Sequence, residues 1–479
     1  MNKAVVSKIG FFSGIALFCI IFSLDEIPGL SRSGQITLCV FLLMGIWWAT
    51  EALPLPITSL MPLVLFPIFG VEEIGVISKE YMNKVQFLFA GGFMIAIAMQ
   101  KWDLHRRVAL TILQYARLDG KSIVAAFMGI SALLSMWVMN TSTTIMLLPI
   151  AVSVCFVVCD TVKGVNDTQK INLKTCVLLG IAYSSSIGGI ATPIGTGPNG
   201  YLIQFLALKE IDIGFLDWFL IGLPVTILLL PLLWLLLTSF LFPLKFSASD
   251  SAKEPIRSML KKLGNISYEE KLVGSIFLLT ALAWIFRKML NQIPMFSGLE
   301  DAVIAMIGGL SLFFVKTKDK ENTLLVWKDI EKGFPWGLIF LFGGGMALAY
   351  SVTETGLAQW IANLIPSGLS LIVLLGLLIC LIVFLTELTS NIATTMTFIP
   401  IIYAVSIKLG INPLILMLPL TISASCAFML PVATPPNSIV FASNQVTIQS
   451  MVKTGFLLNI GAILILTTLG YFYIPLIFS

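Results

Sequence analysis

Apolar runs of about 15–25 residues recur along the whole chain, close to the length a helix needs to cross a bilayer's hydrocarbon core. This pattern predicts an all-α integral membrane protein. Candidate spans lie near 9–24, 36–50, 54–70, 86–100, 175–208, 214–242, 272–290, 302–316, 336–353, 413–444 and 452–476. Two further apolar pairs, 122–160 and 368–407, are each interrupted by a polar motif. These motifs read MNTSTTIMLLPI (139–150) and SNIATTMTFIPI (390–401). An unsatisfied polar group in hydrocarbon costs several kcal/mol, so the amides and hydroxyls there must face protein, water or cargo. A single copy would read as polar glue between helices. Two copies in matching contexts point to a transporter built from repeats.

The basic residues set the orientation, because Lys and Arg accumulate on the cytoplasmic side. They cluster in 101–121, in 161–174 (Lys163, Lys170, Lys174), in the long polar loop 245–271 and in 316–332, whereas 354–371 has neither Lys nor Arg. The four basic loops share one side only if 122–160 and 368–407 enter and return as re-entrant hairpins. The first then dips from the cytoplasm and the second from outside. The expectation is eleven transmembrane helices plus two re-entrant hairpins in the cell membrane, with a cytoplasmic N-terminus and an external C-terminus.

The two halves also match in sequence. FLFAGGFMIAIAMQKWDLHRRVA (87–109) aligns without gaps on FLFGGGMALAYSVTETGLAQWIA (340–362), and the Asn motifs follow in register, ending at Pro149 and Pro400. A third pair sets ATPIGTGPNG (191–200) against LPVATPPNSI (430–439). The loop after the first block is basic in one half and lacks Lys and Arg in the other, which gives the halves opposite orientation, the inverted repeat common among secondary transporters. Residues 103–117 and 355–365 are expected to be amphipathic interfacial helices.

Composition narrows the class. Hydrophobic residues make up 57% and charged residues 11%, which excludes a set of soluble domains. The net charge of +4 lies in short loops and implies no nucleic-acid partner. Segment 9–24 has no convincing small-residue cleavage site after it and reads as a first helix, not a signal peptide. Cys155 and Cys159 read as packing, and the lone His105 sits in a basic loop with no metalloprotease or serine-hydrolase motif. An intramembrane enzyme is therefore the weakest alternative, and a channel would need a continuous polar path in place of two hairpins meeting at mid-depth.

Segments 191–200 and 431–438 put Pro, Gly, Thr and Asn in the middle of apolar stretches, so both helices are expected to break there. Helix N-termini at the breaks and hairpin tips carry partial positive charge suited to carboxylates, and unwound carbonyls and hydroxyls suit Na⁺. No Lys or Arg lies in 122–160, 175–208, 368–407 or 413–452. An anionic cargo is thus held by amides, hydroxyls, helix ends and co-bound cations, and several anion-binding ends favour a dianion. Sulfate or another inorganic oxyanion would suit the same ends. Glu387, the acid beside the second tip, reads equally as a proton carrier or as a brace.

At these motifs the chain resembles the divalent anion:sodium symporter family, the INDY-type di- and tricarboxylate transporters. The resemblance covers nearly everything after the first helix. It implies an elevator-type homodimer in which a transport domain slides past a scaffold. Residues 1–35 would be the N-terminal helix, 36–244 repeat 1, 245–271 a cytoplasmic loop and 272–479 repeat 2. Scaffold helices would be 36–85, 214–244 and 272–335. Transport parts would be 86–213 (hairpin 122–160) and 336–450 (hairpin 368–407), with 452–479 the last helix. The cargo residues implied are Asn140, Thr141, Thr196, Ser390, Asn391, Thr434 and Pro435. One sodium site would use Ser135, Asn140 and the Gly195 backbone, the other Thr386, Thr389, Asn391 and the Ala433 backbone. Two positions depart from the family pattern. Met139 puts a thioether, a poor Na⁺ ligand, where a hydroxyl is expected. Ile392 removes a hydroxyl beside the cargo. On Met139 the expectation is exchange of C4/C5 dicarboxylates such as succinate, malate, fumarate and 2-oxoglutarate, with Na⁺-coupled di/tricarboxylate symport as the alternative.

Overall fold

The computed structural model describes residues 3–25, 27–117, 119–161, 166–246, 253–364 and 368–478. Lys163 and part of the loop 245–271 lie outside the described residues. Among those described, everything regular is helical apart from one isolated bridge between Lys316 and Thr323. Nine helices among the described residues are long and apolar enough to cross a membrane, and two of these, Asn140–Cys159 and Asn391–Leu409, are returning arms of the hairpins. Of the other expected spans, Tyr268–Ile285 has the length but opens on Glu269, Glu270 and Lys271, and the rest are shorter or interrupted. Segment 54–70 divides into Leu55–Thr58 and Met61–Ile68, and 413–444 divides at its break. This is a multi-pass membrane protein.

Each repeat runs through the same five parts. An opening helix (Lys84–Lys101; Gly337–Glu354) leads to a short amphipathic helix (Leu104–Tyr115; Leu357–Leu364). A hairpin follows (Gly120–Ser135 with Asn140–Thr161; Leu371–Thr386 with Asn391–Leu409). Then comes a broken helix (Asp167–Ile190 with Gly197–Leu208; Pro413–Ser423 with Pro435–Ala442). The closing helix (Phe215–Leu235; Ile448–Thr468) widens into a π turn in both repeats, at Leu236–Leu241 and Leu469–Tyr473. The hairpin tips and breaks are where the apolar pattern admits Asn, Thr, Gly and Pro, as expected.

Helix packing draws the line between two bodies differently from the expected domain limits. The opening helix Lys84–Lys101 lies against Asp301–Phe314, and a Cβ on Gly91 would overlap the Ala305 backbone. The second opening helix lies on Leu55–Thr58, where a Cβ on Gly344 would overlap the Ser59 carbonyl. Both opening helices thus pack mainly on the helices assigned to the scaffold, and the second also lies on the hairpin arm Asn391–Leu409, where a Cβ on Gly345 would meet Met396. Conversely, Phe215–Leu235 is fastened to the hairpin and broken helix of its repeat. Trp218 Nε1 donates to Ile190 O at 2.9 Å, Thr226 Oγ1 to Ile187 O at 3.0 Å and Trp234 Nε1 to Lys121 O at 2.9 Å. Its first turn meets the scaffold-assigned helices as well, with Phe215 N donating to Asp301 Oδ2 at 2.7 Å and the Phe215 ring stacked on Trp284, so Phe215–Leu235, which the resemblance places with the scaffold, contacts both sets of helices.

The first amphipathic helix is pinned on its polar side. Arg107 reaches both Glu270 oxygens, at 2.6 and 3.0 Å, and Lys101 pairs with Asp329 at 2.7 Å. Burial is uneven: 94% of the most apolar window of Asp167–Ile190 is buried, against 11% for Val5–Phe22. The first broken helix is therefore the centre of the molecule, and the N-terminal helix presents its sides to lipid or another chain.

The close approach of the opening helices is testable. Gly344→Ala forces its methyl into backbone and should cost about 1–3 kcal/mol. Gly45→Ala, with nothing within 4 Å, should be neutral or stabilising by up to about 1 kcal/mol. Thermal unfolding in detergent measures both, and equal midpoints would refute this packing.

Candidate functional site

Both hairpin tips close in the same way. Ser135 Oγ donates to Asn140 Oδ1, and Thr386 Oγ1 lies 2.9 Å from Asn391 Oδ1. The hydroxyl at the end of one arm thereby fixes the Asn that starts the next. The first-turn N–H groups of each returning arm, from Asn140, Thr141 and Asn391, have no acceptor within their own helix and face outward from the tip. Ser390 begins its helix without using its hydroxyl as a cap, leaving that hydroxyl for another partner.

The breaks are held by two asparagines that sequence reasoning missed. Asn199 Nδ2 reaches Gly189 O at 3.1 Å and Thr192 O at 2.8 Å. Asn437 Nδ2 reaches Ala427 O at 3.1 Å and Leu430 O at 3.0 Å. The Pro-Asn pairs at 198–199 and 436–437 were the available signal. Both asparagines are fully buried, and each cross-links the carbonyls freed by unwinding. Thr196 and Thr434 precede the second half-helices with nearly the same backbone, φ −138° and −141°.

Both tips touch the first broken helix, on either side of its break. A Cβ on Gly189 would lie 2.8 Å from Asn140 Oδ1 and 3.0 Å from Gly195 O. A Cβ on Gly197 would overlap the Ile392 side chain of the second tip. Ser135, Asn140 and Gly195 therefore do come together, forming an oxygen cradle beside Gly189. The Met139 carbonyl accepts from Thr143 N as part of the returning helix. The second set is only partly assembled. Thr386 Oγ1 sits between Asn391 Oδ1 (2.9 Å) and Ala424 O (2.8 Å). Its single proton serves only one of them, so the pair is completed either by a cation or by turning the Asn391 amide to donate. Thr389 turns away to Leu385 O (3.0 Å) and Thr394 Oγ1 (2.6 Å). Ala433 is buried in the turn after Leu430.

The two breaks differ in what they offer an anion. Thr434 Oγ1 accepts from Asn437 N at 3.3 Å, Ser438 N donates to Thr434 O, and Pro435 and Pro436 have no N–H. The second broken helix contributes its dipole but no free donor in its first turn, which narrows the expectation of free N–H groups at every helix end. In the first, Thr196 does not cap, and its buried Oγ1 has no partner among the described residues. Gly197 and Asn199 keep first-turn N–H groups. Access is uneven too: Val432 is 77% exposed and Pro435 is open, whereas Ile190 and Ala191 are fully buried.

Glu387 is a brace in this geometry. Its carboxylate accepts from the backbone N–H of Phe428 (2.7 Å), Met429 (2.9 Å) and Leu430 (3.1 Å), and from Asn459 Nδ2 (2.7 Å). Every one of these partners is a donor, which is the environment of a carboxylate, not of a protonated acid.

Comparison with known proteins agrees with this architecture. A family model described as the sodium:sulfate symporter transmembrane region matches residues 6–479. The chain belongs to this family. It is a transporter, not an enzyme. It is 36% identical to the sodium-dependent dicarboxylate transporter SdcS of Staphylococcus saprophyticus, over 99% of this chain and 93% of that protein. The SdcS of Staphylococcus aureus is also 36% identical, over 98% and 91%. Two solved structures share the fold: the YdaH transporter of Alcanivorax borkumensis (TM-score 0.60, 13% identity, 99% of this chain and 100% of that one) and MtrF of Neisseria gonorrhoeae (TM-score 0.56, 12% identity, 98% and 94%).

The first cradle can be probed by filling it. Gly189→Ala puts a methyl against Asn140 Oδ1 and Gly195 O. In folded variant protein the rise in thermal midpoint on replacing choline with sodium should shrink, since a ligand that binds only the native state stabilises it. A rise equal to that of the unaltered protein would rule the cradle out.

Proposed function

We propose that this protein is a sodium-coupled carrier of C4/C5 dicarboxylates that works as a homodimer by an elevator movement, with its N-terminus in the cytoplasm. The observation that carries this reading is the meeting of both hairpin tips at one break, where oxygen cradles adjoin helix N-termini and no basic side chain is present. The cradles suit Na⁺, and the N-termini suit carboxylates. Relatives at 36% identity over nearly the whole chain are named sodium-dependent dicarboxylate transporters. That favours sodium coupling over the exchange expected from Met139. The physical reason is that the first cradle draws on Ser135, Asn140 and Gly195, so the thioether costs it little.

In this reading one cargo carboxylate lies at the first tip, near Asn140, Thr141 and Thr196. The other lies at the second tip, near Ser390 and Asn391, with Thr434 and Pro435 at the open side. The cations bind at the Ser135/Asn140/Gly195 and Thr386/Asn391 cradles, with the Ala433 backbone beside the second. Thr389 enters only if its hydroxyl turns from Thr394. The moving body consists of both hairpins, both broken helices and both closing helices. The static body holds the opening helices and the helices packed on them. The inorganic oxyanion reading is kept as a competitor, since the family's own description names sulfate.

Purified protein in vesicles separates these readings. Labelled succinate should enter empty vesicles down a sodium gradient, and uptake should collapse when choline replaces sodium. Uptake that needs internal dicarboxylate and ignores sodium would establish exchange, and labelled sulfate uptake without succinate uptake would establish the oxyanion reading. Asn140→Ala and Asn391→Ala should each reduce succinate uptake by at least about tenfold, the cost of losing one or two charge-assisted hydrogen bonds. Unchanged uptake in both would end the site assignment.

A further inference from the structure

We propose that Glu387 is a positioning residue for the second cation cradle, and that its fixed negative charge gives that cradle its sodium affinity. The inference rests on the sodium-coupled reading above. Glu387 directly follows Thr386, whose hydroxyl bridges Asn391 Oδ1 and Ala424 O. Its carboxylate binds the N–H groups of Phe428, Met429 and Leu430, in the unwound segment that also carries Ala424 and Ala433. One side chain thus ties together both strands of chain that supply the cradle's oxygens.

The tie carries charge as well as geometry. Glu387 is 3% exposed, and the one basic residue of the hairpin and broken helix around it is Lys408, at the far end of the returning arm, where its ammonium donates to Ala362 O. A third element, the closing helix Ile448–Thr468, supplies only the neutral amide of Asn459, at 2.7 Å. Lys453 of that helix is not among the groups bonded to the carboxylate. The carboxylate therefore stands as a buried negative charge balanced only by peptide and amide dipoles. A monovalent cation one residue away completes the balance.

The matching position in the first repeat supports a specific role. Met136 stands where the second repeat has Glu387, counting from Ser135 and Thr386, and it contributes only a carbonyl, which accepts from Thr192 Oγ1. The first break is thus closed without a charge, by Thr192, Asn199 and Trp218. Bracing a break does not need a carboxylate, so the charge at the second has another use.

The test uses full-length protein in vesicles and reads two quantities: the sodium concentration for half-maximal succinate uptake, and succinate KM at saturating sodium. Glu387→Gln keeps the shape and one acceptor oxygen but removes the charge. The sodium midpoint should rise on the order of tenfold, as expected for losing a unit charge several ångströms from a cation in a medium of intermediate dielectric. Succinate KM at saturating sodium should stay within about twofold. The double variant Glu387→Gln/Asn459→Asp returns the charge by exchanging the two partners, so that the amide now donates from position 387 to a carboxylate at position 459. It should restore the sodium midpoint. A Glu387→Gln midpoint equal to that of the unaltered protein overturns the proposal. If that variant does not fold, the folded double variant decides: a restored midpoint supports the charge and a tenfold rise refutes it. Uptake by the unaltered protein that ignores sodium would instead overturn the sodium-coupled reading itself.

Discussion

A helix broken inside a membrane leaves backbone N–H and C=O groups that neither lipid nor water satisfies, and this constraint organises the molecule. Each break is closed from within by a buried asparagine that gathers carbonyls of the unwound segment, and in the first also the Gly189 carbonyl at the end of the preceding half-helix. Indole and hydroxyl donors on Phe215–Leu235 take further carbonyls of the first break, at Ile190 and Ile187. Glu387 takes the N–H groups of the second. What this closure leaves over, at Gly195, Thr196, Asn140 and Asn391, is the polar surface on which a ligand can be held. The site is thus the remainder of a structural problem, which explains why it contains no basic residue.

The two repeats solve that problem with one skeleton and different chemistry. Tip hydroxyl, tip asparagine, break threonine and break asparagine recur in order. Yet the first repeat leaves first-turn donors at Gly197 and Asn199, while the second fills those places with Pro435, Pro436 and a capped Asn437. The second also carries the buried carboxylate. An anion is therefore better served by the first break and a cation by the second. Two-fold pseudosymmetry brings the halves together, and their departures from it let one pocket hold both signs of charge.

Much of this was legible in the chain. Matched blocks at 87–109 and 340–362 gave the opening helices, and the Asn motifs gave the hairpins, because polar residues within apolar runs of membrane length have few other uses. Ser135, Asn140 and Gly195 do converge. What Phe215–Leu235 packs against was not legible, since a uniformly apolar helix does not reveal which face meets protein. Nor was the orientation of Thr389, because a threonine at a tip can turn to its own helix carbonyl as readily as to the pocket. Asn199 and Asn437 were overlooked beside the more conspicuous prolines. Glu387 was ambiguous because its meaning depends on whether donors or acceptors surround it, and only the fold shows that all are donors.

The charge balance of the pocket bears directly on coupling. Each helix N-terminus contributes about half a positive charge at best. The two returning arms and two half-helices together thus roughly match a dianion's two negative charges. Glu387 adds a further negative charge, and its hydrogen-bond partners among the described residues are neutral donors. With cargo alone, the pocket carries about one uncompensated negative charge in a low-dielectric setting, which opposes both binding and movement through the membrane. One cation restores neutrality, and a second leaves the loaded carrier slightly positive. An exchanger that ignores cations would have to move the uncompensated pocket in every half-cycle. An acid beside the second cradle therefore fits the proposed reading, in which a cation accompanies the cargo and the first cradle is built without the Met139 thioether.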